Sequence, residues 1–441
     1  MLGSRIRFAV LLISALLVVA APAAGEPYQA IPGGGAGPAR YDRVFVETFG
    51  SPRARTVVVL VPGFIRGAGS LRLVAREIAR RAGVQVWALD RRANALEDHS
   101  ILDLGEPYKS FDYYLRFAEV DGRRHVAADA RTAPFARGWG LRVSLDDLRQ
   151  VVRRARAGGR RVILGGHSFG ATTALSYAVW DFAGRAGYRD LDGLIAIDGG
   201  GQRSRLGAAR ARRRLAAIRT GDPFVGLLKR LPPWSAQLFE TVGTQLARAV
   251  PEGLSPAQSY PLLPAYLRPD FPVTNLAELG YARDVDTAPG ELEIFHLHSG
   301  ELARSGDPRG WVDGGITPIS RVAEADGTSS PTDATEWYYP ARLRLDSSAV
   351  GGYRPSPASR ALGLRLEHLA GVDVPLYAFQ TGFPDGRVLR GARAFAGASR
   401  VPRMTLVDRS RTTTHEDPIY ARPRDNAFLQ TVVPFIRSID R

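Results

Sequence analysis

The sequence predicts an α/β protein with a mostly parallel, doubly wound sheet and a large insertion after its sixth strand. Continuous apolar runs recur along the first half of the chain, and such runs are typical of strands buried on both faces of a parallel sheet. Segments with helical spacing lie between them, which indicates right-handed βαβ units. The same strand pattern returns near the end of the chain, after a long stretch rich in Pro and Gly.

These patterns place the elements in order. Residues 25–40 are rich in Gly, Pro and Ala and predict a flexible lead-in, and residues 41–49 predict the first strand. Further strands are predicted at 56–61, 84–89, 161–165, 193–197, 374–379 and 401–407. Helices are predicted at 70–82, 145–155, 171–186, 224–231, 236–250 and 426–439. Residues 93–142 show no pattern that assigns them.

This interpretation divides the chain into four segments: an export signal at 1–24, the first part of the sheet domain at 25–202, the insertion at 203–369, and the second part of the sheet domain at 370–441. Arg5 and Arg7 precede an apolar run from Phe8 to Ala21 and a small-residue stretch, which is typical of a secretory signal peptide. We expect cleavage near residues 23–24, and a secreted or periplasmic protein without stable membrane insertion. An uncleaved anchor is the alternative, although the run is short for a membrane span.

Composition excludes several classes of protein. There are 441 residues and no Cys, so disulfides and thiolate metal sites are excluded. The net charge is +15, almost all of it from Arg, but no basic stripe with interleaved aromatic residues predicts nucleic-acid binding. The densest run of arginines, Arg203–Arg219, is interpreted as a solvated helical face, with attraction to an anionic surface or substrate as the alternative.

The strongest motif is Gly166–Gly170, with the sequence Gly-His-Ser-Phe-Gly. It follows a predicted strand and begins a predicted helix, so its glycines allow a tight turn that exposes the hydroxyl of Ser168 at the edge of the sheet. A serine nucleophile needs a general base, and the base needs an orienting acid. Of the seven histidines, His415 follows the last predicted strand and precedes the final helix, so it is the predicted base.

The orienting acid is predicted to be Asp385, with Asp198 as the alternative. Both carboxylates follow predicted strands at their carboxyl ends, where catalytic groups collect. The predicted oxyanion donors are the backbone N–H groups of Phe169, directly after the serine, and of Phe64, in the loop after the first apolar strand.

The remaining histidines receive other interpretations. His167 is expected to pack or to form a hydrogen bond inside the turn. One interpretation of His99 places it in the lining of the site. His296 and His298 alternate on a predicted strand face, but no third ligand accompanies them, so a structural role is favoured over a metal pair.

Together these residues resemble the α/β-hydrolase superfamily. The resemblance rests on Pro62-Gly63-Phe64, Gly166–Gly170, Asp385 and His415, over roughly residues 41–202 and 370–441. Many members have His-Gly where this chain has Pro62-Gly63, but backbone donors do not depend on that side chain. The insertion resembles, in position, the cap that many members carry.

The resemblance implies hydrolysis of an ester through an acyl-enzyme, without cofactor or metal. The expected partner is a small-molecule or lipid-like ester, and nucleic acid is not expected. A lipase or a peptidase of the same fold is the alternative, and a binding protein on a hydrolase scaffold is a third. The sequence leaves the substrate and the oligomeric state open.

Overall fold

An eight-stranded sheet forms the centre of the protein. The computed structural model describes residues 27–201, 204, 206–228, 231–383 and 387–440, so the predicted signal peptide lies outside the described residues. Within these ranges, no helix has the length and apolar character needed to cross a membrane.

The strands of the sheet are β1 Tyr28–Pro32, β2 Arg43–Phe49, β3 Thr56–Val61, β4 Gln85–Asp90, β5 Arg161–His167, β6 Gly193–Ile197, β7 Leu376–Gln380 and β8 Met404–Asp408. They lie in the order β1-β2-β4-β3-β5-β6-β7-β8. β2 is antiparallel to β1 and β4, and the remaining neighbours are parallel.

Helices cover both faces of this sheet. The helices are α1 Arg72–Ala82, α2 Leu141–Arg156, α3 Phe169–Val179, α4 Ala208–Thr220, α5 Ser235–Ala249, α6 Asn275–Arg283, α7 Ile319–Asp326, α8 Ala341–Ser347, α9 Pro357–Ala361, α10 Arg387–Gly397 and α11 Ala427–Asp440, with short turns of helix at Pro107–Ser110 and Asp417–Tyr420.

Burial along β3 explains the double winding. All six residues of β3 are buried, which is why the sequence reads as a continuous apolar run. Val57 and Val59 pack with α2 and α3 on one face, while Val58 and Leu60 pack with α1 and α11 on the other. The predicted α/β class and the doubly wound, mostly parallel sheet are confirmed.

Three predicted elements differ from the structure. The lead-in at 25–40 contains β1, which pairs with the free edge of β2, and the hydroxyl of Tyr28 donates to Asp90 Oδ2 (2.8 Å). The helix predicted at 171–186 ends at Val179, because the chain turns into a small ribbon formed by Asp181–Phe182 and Arg185–Ala186. The helix predicted at 224–231 is absent over the described residues 224–228, which lie between flanking prolines.

The chain between β6 and β7 adds no strand to the central sheet in its described residues. It contributes helices α4 to α9 and one antiparallel ribbon, Gly300–Gly306 with Arg309–Asp313. Its aromatic cluster, Trp337 to Tyr339, is fully buried against the sheet domain. The assignment of this stretch as a cap inserted after the sixth strand stays a prediction.

Candidate active site

The turn after β5 holds Ser168 in a strained conformation. Ser168 has φ 53° and ψ −115°, a region that non-glycine residues rarely adopt and that is frequent at functional sites. Its N–H donates to the carbonyl of Ile197 at the end of β6 (2.7 Å). A Cβ atom on Gly170 would lie 1.9 Å from the carbonyl oxygen of Val61, so this position accepts only glycine. Ser168 is half-buried, whereas both of its neighbours are buried.

His415 lies in the loop between β8 and the helical turn Asp417–Tyr420. Its Nδ1 is 2.6 Å from Oδ2 of Asp198, and its side chain is 2% exposed. The ring of Phe383 packs against the imidazole with 4.4 Å between centroids, and the ring of His167 does so at 4.5 Å. Because His167 directly precedes Ser168, these contacts hold the imidazole beside the serine turn.

The carboxylate in contact with this imidazole is that of Asp198, directly after β6. The N–H of Thr381 donates to its Oδ1 (2.7 Å), and the Thr381 hydroxyl donates to its Oδ2. Asp198, the alternative acid in the sequence analysis, is thus the described carboxylate that contacts Nδ1 of His415, and the choice of Asp385 as the acid stays a prediction. Asp385 itself lies outside the described residues.

His167 anchors the loop that carries His415. Its Nε2 donates to the backbone carbonyl of His415 (2.8 Å), as expected for a histidine that forms a hydrogen bond inside the turn. Burial, together with the nearby His415, lowers the pKa of His167 to about 4, so the ring is neutral at physiological pH. Since a carbonyl only accepts, the single ring proton must reside on Nε2.

The two predicted oxyanion donors lie on either side of the serine turn. Phe169 is the first residue of α3, where an N–H has no intrahelical acceptor. Among the described residues, the N–H of Phe64 also donates to no acceptor. Gly63 packs directly against Ser168, with 3.4 Å between an added Cβ and the serine Cβ. The loop after β3 and the start of α3 thus meet at Ser168, as an oxyanion site requires.

A buried ion-pair cluster, formed by Arg66, Arg283, Glu240 and Glu416, supports the His415 loop. Arg66 binds both carboxylate oxygens of Glu416 (2.8 and 2.7 Å) and also contacts Glu240, while Arg283 adds a second contact to Glu416. Burial opposes ionisation of Glu416, but Arg66 and Arg283 outweigh it and hold its pKa below the ordinary value. Sequence reasoning missed this cluster because its members come from four distant segments.

The other predicted histidines lie elsewhere. His99 contacts Glu97 (3.1 Å) and the ring of Trp337. Glu97, His99 and Asp333 form a compact set able to hold a metal ion. Trp337 already donates to both carboxylates, through its N–H to Glu97 and its indole N–H to Asp333 (2.8 Å each). Burial opposes protonation of His99, yet the neighbouring carboxylates raise its pKa to about 9.

The pair His296 and His298 does not form a strand face. His296 lies at the end of a short helical turn, and its carbonyl accepts the Thr414 hydroxyl (2.7 Å). His298 Nδ1 is 2.7 Å from Oδ2 of Asp417. The structural role favoured for this pair agrees with these contacts.

Two cavities adjoin this site, and they differ in lining. The first, of about 130 Å³, lies between α5, α6 and the chain at 255–267 and is lined mainly by Leu, Phe and Ala side chains. Glu278 reaches it, and burial raises the pKa of this carboxyl to about 8. The second, of about 1620 Å³, is open and lies between α4, α8 and α10.

The architecture of the chain corresponds to a known fold. The eight-stranded sheet, wound on both faces and carrying a strained serine turn after its fifth strand, defines the α/β-hydrolase fold, and the chain has this fold. No family model and no curated protein matches the chain.

Solved structures do overlap with it. An esterase from Thermogutta terrifontis, solved with malate, is 14% identical and matches 94% of this chain and 100% of its own, with a TM-score of 0.42. Epoxide hydrolase A from Mycobacterium thermoresistibile is 16% identical over 93% of this chain and 98% of its own, with a TM-score of 0.43. A monoacylglycerol lipase from Paleococcus ferrophilus is 14% identical over 90% and 99%, with a TM-score of 0.39. At these values the three overlaps carry no argument about activity.

Proposed function

We propose that this protein is a serine hydrolase that cleaves carboxylic esters. The observation that carries the proposal is the 2.6 Å contact between His415 Nδ1 and Asp198 Oδ2, formed beside the strained turn that presents Ser168. A buried acid, an oriented imidazole and an accessible serine hydroxyl are the three groups that acyl transfer through a serine needs.

In this mechanism Ser168 Oγ attacks the ester carbonyl while Nε2 of His415 takes the hydroxyl proton. Asp198 keeps the other ring nitrogen protonated and stabilises the imidazolium that forms. The N–H groups of Phe64 and Phe169 bind the oxyanion, and His415 then gives its proton to the departing alcohol. Water, deprotonated by His415, attacks the acyl-enzyme, and the acid leaves as Ser168 regains its proton.

The apolar cavity supports esters with an apolar acyl or alcohol part. Its lining is almost entirely hydrocarbon, and Glu278 is mostly protonated near neutral pH because its pKa is about 8. Two of its lining residues, Glu240 and Arg283, belong to the ion-pair cluster around Glu416, next to His415. The wall of this cavity therefore contacts the ion-pair cluster that supports the His415 loop.

Export is part of the same proposal. Residues 1–24 contain, in this order, a charged part, an apolar run and a stretch of small residues. This order supports removal of the segment and release outside the cytoplasm. Amino-terminal sequencing of protein collected from the periplasm or medium of an expressing host should begin near residue 24 or 25. A start at Met1 would overturn the export proposal without affecting the catalytic one.

A fluorophosphonate probe tests the catalytic proposal directly. The mature protein should be labelled covalently, and Ser168→Ala should abolish labelling, because the probe reacts with an activated serine. Ser51→Ala, at an exposed turn, is the matched control and should be labelled like the parent protein.

Substrate pairs then separate the alternatives. Hydrolysis of 4-nitrophenyl hexanoate but not of the matching 4-nitroanilide supports an esterase, whereas faster cleavage of the anilide would favour a peptidase. If neither the probe nor any ester reacts with folded protein, the proposal is overturned and a binding protein on this fold takes its place.

A further inference from the structure

The larger, open cavity beside the site is lined by arginines. Two come from α4, one from α8, one from the loop after it, and two from the start of α10: Arg210, Arg214, Arg344, Arg354, Arg387 and Arg390. None of the described residues that line this cavity is an aspartate or a glutamate. Guanidinium groups gathered around a concave surface raise the local concentration of anions.

Four of these arginines lack an acidic partner. Within the described part of the chain, Arg210, Arg214, Arg344 and Arg354 form no ion pair and donate no hydrogen bond. By contrast, the buried Arg66, Arg91 and Arg92 each bind a carboxylate. The charge of these four arginines is therefore not compensated by an acidic side chain among the described residues that line the cavity.

One arginine in the wall of the cavity contacts two residues of the proposed reaction centre. The guanidinium of Arg344 lies 4.9 Å from the ring centroid of Phe64 and 5.6 Å from that of Phe169, the two residues proposed to bind the oxyanion. Gly200 and Gly201 also line it, shortly after Asp198. An anionic group bound here would thus belong to the molecule whose ester bond reaches Ser168.

The arginine run on α4 is divided by its helical geometry. Arg210 and Arg214 are one turn apart and line the cavity, whereas Arg212 and Arg213 do not. The interpretation as a solvated face therefore fits Arg212 and Arg213. The alternative interpretation, attraction to an anion, fits Arg210 and Arg214. Since both pairs are exposed and carry the same charge, the helix contains its own control.

We propose that this cavity binds a carboxylate or phosphate of the substrate, so that the preferred esters are anionic. The proposal rests on the proposed hydrolase function and names its substrate class. Guanidinium forks match the geometry of carboxylate and phosphate oxygens, and several forks around one cavity select for such groups over neutral ones. The concave shape favours a small anionic molecule over a nucleic-acid backbone.

Two substrates of equal length test the proposal: 4-nitrophenyl hexanoate and mono-4-nitrophenyl adipate, which differ by a terminal carboxylate. A second pair, phenyl hexanoate and 4-hexanoyloxybenzoate, places the charge on the alcohol side. In the parent protein, kcat/KM should be higher for the anionic member of at least one pair, and that advantage should fall as NaCl is raised from 0.05 to 0.5 M.

The variants decide the assignment. Arg210→Gln combined with Arg214→Gln should lower the anionic-to-neutral ratio of kcat/KM roughly tenfold or more, since each lost charged hydrogen bond has an effect of that order. Arg212→Gln combined with Arg213→Gln removes the same charge from the same helix and should leave the ratio unchanged. Fatty-acid release from phosphatidylglycerol vesicles but not from phosphatidylcholine vesicles would identify a lipid headgroup as the source of the anion, and hydrolysis confined to the soluble anionic esters would identify a soluble one.

Failure of this inference is distinguishable from failure of the proposed function. Equal ratios in the parent and both double variants, with neutral esters still hydrolysed, would overturn the anionic substrate class alone. An equal loss in both double variants would also overturn it, because the effect would then follow net charge and not the cavity. Absence of probe labelling would overturn the hydrolase proposal itself.

Discussion

Two histidine–aspartate pairs lie close together in this fold and differ in their surroundings. Nδ1 of His415 is 2.6 Å from Asp198, and Nδ1 of His298 is 2.7 Å from Asp417, two residues after His415. In the first pair the imidazole is 2% exposed and packs beside the serine turn. In the second the imidazole is 37% exposed.

This difference shows that the contact alone does not define a site. Asp417 also accepts the Thr317 hydroxyl (2.7 Å) and the N–H of Thr414 (2.7 Å), so it ties the His415 loop to the insertion. Asp198, in contrast, receives its donors from Thr381 at the end of the neighbouring strand β7. The first pair is positioned by the sheet next to the proposed nucleophile, and the second stabilises a loop.

The largest effect is expected for Asp198→Asn. By analogy with other serine hydrolases, loss of the orienting acid should lower kcat about 10⁴-fold, because the imidazole loses its tautomer and its countercharge. Hydrolysis of 4-nitrophenyl hexanoate measures this, with circular dichroism to verify folding. Asp385→Asn is the comparison and should cost less than tenfold. A reversed order of the two losses would return the role of acid to Asp385.

A smaller effect, mainly on stability, is expected for Glu416→Gln. Removal of this charge takes a shared carboxylate partner from Arg66 and Arg283, which keep Glu240, and breaking such a buried pair costs about 3–5 kcal/mol. Because the pKa of Glu416 is below its ordinary value, its stabilisation is present above the unfolded-state pKa and lost as pH falls through the folded-state pKa. Urea unfolding at pH 7 and pH 4 should therefore show a larger difference from the parent at pH 7. An equal difference at both values would contradict the ionised assignment.

The smallest effect is expected for His298→Gln. Asp417 holds the pKa of His298 above its ordinary value, so this pair stabilises the fold below the unfolded-state pKa and loses that contribution as pH rises through the folded-state pKa. The melting temperature of the variant should be lower than that of the parent at pH 5.5, and the two should converge toward pH 9. Ester hydrolysis should change little, and a loss comparable to that of Asp198→Asn would remove the distinction between the two pairs.

Sequence patterns predicted the sheet well because β3, β4, β6 and β7 are buried on both faces and so consist mainly of apolar residues. They failed for β1, whose residues are mostly exposed and carry no such run. Ser168 could be placed because its turn needs glycines at fixed positions.

The acid could not be placed in the same way. Asp198 and Asp385 both follow strands of the sheet, and the sequence does not encode how far the loop of His415 bends toward either one. The decision depends on Phe383, His167 and the Glu416 cluster, which reach His415 from separate segments of the chain. Long-range packing of this kind leaves no periodic signal.

The location of Asp198 has a consequence for exchange of the insertion between proteins. The chain departs from the sheet at this carboxylate, so the first residues of the insertion are continuous with the group that orients the imidazole. Gly199 already presses against Ser168, where an added Cβ would lie 1.9 Å from the serine carbonyl oxygen. A graft that replaces the insertion must therefore keep residues 198–201 intact. Sequence changes that alter substrate choice can be made only beyond these residues.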